Sequence, residues 1–388
     1  MLQFPEGFRW GAATAAHQVE GGNVASDWWA REHAPGTTVP EPSGDACDSY
    51  HRYPEDMRLL AEAGLDTYRF SVEWARVEPE PGLVSRAALD HYRRMVETAR
   101  SLGVTPMVTL HHFTLPRWLA DRGGWRAPEA VDAFARYTET VLPVVEDVDR
   151  VCTINEPNMV AVMAGADGGE SLVAAGLPAP DPVVTQALVA AHRRSREVLS
   201  AAPLVRSGWT VATQDHQPEP GCEQVAHEYG YPRDALFLEA AADDDWVGVQ
   251  AYTRTKVGPD GPLPVPDDVE TTLTGWEYYP PALADGVRLA ARWAPGVPVL
   301  VTENGIATAD DGRRVDYLRD ALRGLHEVMA EGVGVQGYLA WSLLDNYEWG
   351  SYAPTFGLVA VDRTTFARTP RPSLRWLGEV ARANALPG

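Results

Sequence analysis

Cysteine is scarce in this chain, and so is positive charge. Three cysteines (Cys47, Cys152, Cys222) stand among 388 residues. An odd number fits neither a disulfide framework nor a paired metal motif, and a reducing cytoplasm is the expected setting. Lys and Arg total 33 against 54 Asp and Glu, a formal net charge of −21. Such a chain repels nucleic acid and anionic membranes, and no basic run overrides that. The same acidity disfavours polyanionic substrates. No apolar run approaches the roughly 18 residues that a membrane span requires. Met1–Trp10 lacks a basic region followed by an apolar core, so no signal peptide is expected. His-Glu-x-x-His is missing. His111 and His112 are adjacent, so on a strand they point to opposite faces and do not readily chelate together. No Walker motif occurs, and Gly21-Gly22 lacks the spacing of a dinucleotide turn. Neither a metal nor a cofactor is implied.

What is present suits a globular chain with a large core: 45% of residues are hydrophobic and 22% charged. Short apolar runs alternate with longer stretches of helical period. The runs are Phe8–Ala13, Thr67–Val72, Val104–Phe113, Arg150–Ile154, Val205–Ala212, Trp246–Tyr252, Val297–Val301 and Val335–Leu344. Eight runs match the strand count of a (β/α)₈ TIM barrel, and strand–helix alternation predicts an α/β fold with a parallel sheet. Pro54 is read as the first position of a helix that carries Met57, Leu60 and Ala61 and closes at Gly64. Ser85 caps a helix bearing Leu89, Tyr92, Val96 and Ala99. Pro128 opens another, with Val131, Phe134, Ala135, Val141 and Leu142 inward, and Leu318, Leu322, Leu325 and Met329 mark the last clear one. Pro35–Gly44, Gly165–Pro182, Gln214–Gly221 and Gly258–Asp268 read as loops on the barrel rather than linkers. Without tandem repeats, residues 1–388 are read as a single catalytic barrel domain.

Barrel active sites form where strands end, so the strand ends are the places to look. Glu156, in Asn155-Glu156-Pro157, ends the fourth run. Glu303, in Thr302-Glu303-Asn304-Gly305, ends the seventh. Two glutamates far apart in sequence meet only if the fold gathers strand ends. That arrangement supplies the acid and the nucleophile needed to break a glycosidic bond. Taken alone, each glutamate could equally be a helix-entry or turn residue. Around them fall Gln18, Arg69, His111-His112, Gln250-Ala251-Tyr252 and the stretch Trp341–Trp349. Amides, imidazole, a further carboxylate and indoles suit a sugar, whose hydroxyls want polar partners and whose apolar faces stack on rings.

The ordered set resembles glycoside hydrolase family 1, the β-glucosidase family. It comprises Phe8–Gly11 with Gln18 and Glu20-Gly21, Tyr68–Ser71, Thr109–His112, Thr153–Pro157, Thr302–Gly305, Trp341–Trp349 and Phe356–Leu358, and it runs over nearly the whole chain. The resemblance implies Glu303 as nucleophile and Glu156 as acid/base. Gln18, His112, Asn155, Glu348 and Trp349 would hold the sugar, with Trp341 beneath it, and Arg69 and Tyr252 would flank the nucleophile. Tyr252 is also expected to contact the substrate. Physics agrees with those roles. Arg69 and Tyr252 favour an ionised Glu303, whose charge in turn keeps Glu156 protonated. Carboxyls about 5–5.5 Å apart would give retention through a covalent glycosyl-enzyme. A small-molecule β-glycoside is the expected partner, neutral and glucose-like, since Glu348 repels a 6-phosphate. Galactosides and fucosides remain open. So does transglycosylation to an acceptor alcohol, which uses the same residues. A non-catalytic carbohydrate-binding relative would typically lack one glutamate, and both are present.

The chain departs from many relatives at Gln250 and Ala251 (commonly Asn-Tyr), Phe113 and Thr114 (commonly Trp-Asp), and His111 (commonly Tyr). These positions are expected to border the leaving-group side and set aglycone preference. The chain also reads as short between strands five and six, which should widen the cleft for a bulky or hydrophobic aglycone.

Overall fold

The computed structural model describes residues 1–166 and 176–387. Eight parallel strands close into a barrel. In chain order they are β1 (Arg9–Ala13), β2 (Thr67–Ser71), β3 (Thr105–His111), β4 (Arg150–Asn155), β5 (Arg206–Thr213), β6 (Val247–Ala251), β7 (Val299–Glu303) and β8 (Val335–Trp341). Each corresponds to one of the eight apolar runs to within three residues at either end, and β4, β5 and β7 run past the expected ends to Asn155, Thr213 and Glu303. β7 starts at Val299 because Pro298 has no N–H for the ladder; its carbonyl accepts from Val247 instead. Closure comes from β8 on β1, with Gly337 opposite Arg9 and Trp341 opposite Ala13. The strands are buried on both faces nearly throughout, as expected of a sheet wrapped by helices. Met107, Cys152, Trp246, Leu300 and Leu339 form an apolar cluster.

Helices follow the strands and bury one stripe each. Ser85 caps Arg86–Ser101, its hydroxyl accepting from the Ala88 N–H, a device worth about 1 kcal/mol. Gly64 ends Ser49–Ala63 at φ +94°, in the left-handed region. Two helix starts differ from expectation. Pro54 lies inside Ser49–Ala63, not at its first position. The helix loses one early N–H bond there and gains a turn that buries Ser49 and Asp56 against Arg368. The helix expected at Pro128 begins at Ala130. Helices at Pro182–Leu199, Ala282–Trp293 and Pro372–Ala383 complete the wrap.

Two stretches read as loops carry strands. His216–Pro218, Thr255–Gly258 and Gly261–Pro262 make a small three-stranded sheet. Prolines sit at the ends of two of these strands, which hides them from a strand pattern. Part of Gly165–Pro182, also read as a loop, lies outside the described residues.

Candidate active site

The site is built on one arginine. Arg69, on β2, is fully buried. Its Nε donates to Thr109 Oγ1 on β3 (3.0 Å), Nη1 to Glu303 Oε1 on β7 (2.6 Å) and Nη2 to Asn155 Oδ1 on β4 (2.5 Å). A single planar fork thus ties four strands together above the apolar cluster. The other oxygen of Glu303 accepts from Tyr252 Oη at 2.6 Å. Both carboxylate oxygens are held, and the residue is 3% exposed.

Local backbone irregularity aims these groups. The ladder slips between Cys152 and Asn155 on β4 and between Val301 and Glu303 on β7. Such slips re-aim a side chain at the rim of a barrel. Glu156 then takes a left-handed conformation (φ 44°) before Pro157 starts the helix Pro157–Gly165. Phe113 (φ 70°) and Trp349 (φ 49°) are left-handed too. Non-glycine residues held this way cost about 1–3 kcal/mol each and gather at functional sites. The glycine of Thr-Glu-Asn-Gly has a steric reason: a Cβ on Gly305 would lie 2.1 Å from the Trp341 carbonyl oxygen.

Burial raises the proton affinity of both glutamates, and it is the largest cause in each. For Glu303 the charge of Arg69 and the hydrogen bonds from Tyr252 and Arg69 oppose it. For Glu156 the negative charge of Glu303 adds to burial, and its pKa lies well above the ordinary carboxyl range. The sequence reading credited like-charge repulsion; desolvation is the larger contribution. The two environments differ in what opposes burial: Arg69 and Tyr252 favour the anion of Glu303, whereas the charge of Glu303 disfavours the anion of Glu156.

Around this pair the other expected residues converge. Asn155 Oδ1 accepts from Arg69, Thr210 (3.1 Å) and Gln250 (2.8 Å). Three donors on that oxygen fix the amide, so its NH₂ faces His112 Nε2 at 3.2 Å. His112 is held neutral by burial and by Arg69, and its ring lies nearly parallel to Trp341 (19°, 6.0 Å). Trp341 Nε1 donates to Glu348 Oε1 (3.2 Å), and Gln18 Nε2 donates to Glu348 Oε2 (3.3 Å) and Asn346 Oδ1 (2.9 Å). Burial and the charge of Glu303 push Glu348 up to about 8, against the pull of those hydrogen bonds. Gln18 Oε1 and His112 Nδ1 are buried without a protein partner among the described residues. Groups of that kind are what a sugar hydroxyl satisfies.

Sequence reasoning passed over the support behind these groups. Trp349 is caged by His17 (stacked, 5.6 Å), Trp28 and Phe113 (both edge-on, 5.0 Å). His17 is anchored in turn by Glu32 at 3.0 Å. Glu73 accepts from Thr114 Oγ1 (2.8 Å), and burial pushes it up to about 8. Three of the departures expected at the leaving-group side are not there. Gln250 is fully buried against Asn155, because the last inward position of β6 points into the barrel. His111 packs on Trp125 and Phe134. Thr114 is spent on Glu73. Among the described residues, no group of three or more His, Cys, Asp or Glu side chains could hold a metal ion, and no helix is long and apolar enough to cross a membrane.

Comparison with known proteins gives the class that this barrel and site define. The model of glycosyl hydrolase family 1 matches residues 1–193 and 247–386, and the chain belongs to that family. The unmatched stretch holds β5 and the connection to β6, the region read as short. Thermostable beta-glucosidase B of Thermobispora bispora is 35% identical, over 99% of this chain and 92% of its own. Among solved structures, beta-glycosidase BGL167 is 46% identical with a TM-score of 0.91, over 99% of this chain and 98% of its own. A beta-glucosidase from Thermotoga maritima in complex with glucoimidazole is 31% identical with a TM-score of 0.89, over the full length of both chains.

Proposed function

We propose that this chain is a retaining exo-β-glycosidase that hydrolyses neutral β-D-glucosides by double displacement, with Glu303 as nucleophile and Glu156 as acid/base. The observation that carries it is the unequal bracing of two buried carboxyls. Glu303 is braced as an anion by Arg69 and Tyr252, and its charge helps hold the proton on Glu156. In the first step Glu303 attacks the anomeric carbon while Glu156 protonates the departing oxygen. A glycosyl ester forms and the aglycone leaves. In the second, Glu156 takes a proton from water, which displaces Glu303 and restores both groups. Asn155 offers its NH₂ to the 2-hydroxyl, a contact that strengthens in the transition state. Glu348 and Gln18 receive the far end of the sugar, and Trp341 supplies a face for it. Three free, buried cysteines support a cytoplasmic setting.

The test follows the first-formed sugar from phenyl β-D-glucoside by proton NMR. The β-anomer should appear before mutarotation. An α-anomer first, or no hydrolysis, would defeat the proposal. A parallel panel of aryl β-glucosides, galactosides and fucosides ranks the sugars. Added methanol divides hydrolysis from transfer: methyl β-glucoside as main product at modest methanol would favour the transglycosidase reading.

A further inference from the structure

Resting on that reading, one cavity beside the site has a chemistry of its own. It holds about 290 Å³ and lies where the chain leaves β6, along Thr253, Arg254 and Lys256 and across from Trp276. Trp276 connects the two regions: its ring packs on Tyr252 at 5.6 Å, and Tyr252 donates to Glu303. The cavity therefore adjoins the glutamate pair through Trp276 and Tyr252, whose hydroxyl feels the charges of both Glu303 and Glu156.

Its wall is apolar. Leu177, Leu263, Val265 and Trp276 contribute to it, and Leu263 and Val265 remain 39% and 36% exposed. Its charges are three. Arg254 is fully engaged: it forks onto both oxygens of Glu277 (2.6 and 3.0 Å), donates to Gln217 Oε1 (3.0 Å) and lies over the Tyr279 ring at 4.0 Å. Glu277 is neutralised by that fork. Lys256 remains. It is the only lysine in the sequence, is half-buried on the middle strand of the small sheet and belongs to no ion pair among the described residues. Among the described residues the cavity thus carries one positive charge outside any ion pair, in a chain of net charge −21. One positive charge balances a singly charged carboxylate and leaves a doubly charged phosphate half uncompensated.

We propose that this cavity seats an aglycone with a flat apolar body and a carboxylate, and that Lys256 pairs with that carboxylate. Glycosides of aromatic acids are the substrate class. The acid group need not touch the cleavage site, so its recognition acts on binding of the leaving group and not on the bond-breaking step.

Three pairs of aryl β-glucosides test it, built on phenyl, naphthyl and biphenyl, each bearing either a carboxylate or the matching carboxamide. In at least one pair kcat/KM should favour the carboxylate in the native protein. That preference should fall by about three- to tenfold in Lys256→Met, the range of one charge-assisted contact at a half-buried site. Lys256→Arg should keep it. An unchanged carboxylate-to-amide ratio in Lys256→Met for all three pairs would overturn the proposal. A second readout needs no turnover. Reductive ¹³C-methylation labels only Lys256 and the α-amine. In Glu303→Gln, the Lys256 signal should move on adding the preferred carboxylate glucoside and stay still with its amide; no shift overturns it as well. Unsubstituted phenyl β-glucoside separates the two levels. Its hydrolysis by native protein and Lys256→Met leaves the hydrolase reading intact whatever becomes of Lys256, and its failure in both would overturn both.

Discussion

The floor of the site and its rim are built by opposite rules. On the floor the polar groups come from the strands and the turns just beyond them, and most are satisfied twice over: Arg69 uses all three nitrogens, Asn155 Oδ1 takes three donors, and Glu303 has both oxygens bound. At the rim the groups come from the loops and small sheet around Thr253–Glu277, the apolar side chains stay partly exposed, and Lys256 belongs to no ion pair among the described residues. A floor of that kind is preorganised for one sugar and one transition state. A rim of that kind can change its preference with little cost to the fold. Sugar chemistry and aglycone choice should therefore separate under mutation.

The largest effect belongs to the floor. Glu303→Gln should lower kcat roughly 10⁴-fold or more, as removal of a nucleophile does, while sugar binding stays measurable by calorimetry. Turnover near native would take Glu303 out of the mechanism. Glu156→Ala comes next and sharpens the contrast, since its effect depends on what sits at the rim. For alkyl glucosides kcat/KM should drop by about 10²–10⁴, the worth of a general acid, and far less for nitrophenyl glucosides, whose leaving groups need no proton. Equal losses would contradict the assignment. The same variant should erase the alkaline limb of the pH profile. Activity needs Glu303 ionised and Glu156 protonated. It should rise with pH through a value above the ordinary 4.5, because burial raises Glu303, and fall as Glu156 loses its proton at a value well above that range. An alkaline limb unmoved in Glu156→Ala would assign it to another group.

Glu348→Ala should cost about 10–10² in kcat/KM for glucosides, the worth of two hydrogen bonds between a protonated carboxyl and sugar hydroxyls, with the order of aglycones unchanged. A changed order would mean that floor and rim are coupled. The smallest effect belongs to Trp276→Ala. It should raise KM for aryl glucosides about three- to tenfold, the value of one ring contact, and leave kcat nearly fixed. A large fall in kcat would place Trp276 with the floor.

The same contrast explains what was legible in the sequence. Strand ends carry short, ordered motifs, so Glu156, Glu303, Asn155, Arg69 and Trp341 could be named from the chain alone. The barrel was legible because each strand is a fully buried apolar run between helical stretches. Helix Ala282–Trp293 went unread: it buries Ala282, Leu283, Ala284, Gly286, Val287 and Ala290, a face in which Leu283 and Val287 are the large apolar groups. Gln250 was assigned to the rim as a departure from the residues common among relatives; only the barrel's inward register shows it clamping Asn155. The cage of His17, Trp28 and Phe113 around Trp349 joins residues far apart in the chain and left no local signal. The cavity at Lys256 depends on a three-stranded sheet whose strands are two to four residues long, below the length at which alternation can be read.

The most direct measurement is covalent capture. Native protein treated with 2-deoxy-2-fluoroglucosyl fluoride and digested should yield a single peptide, the one containing Thr302–Gly305, heavier by one fluoroglucosyl group on Glu303, and activity should be lost in step with labelling. Intact protein with no adduct, or an inactivating adduct on any other side chain, would contradict the account.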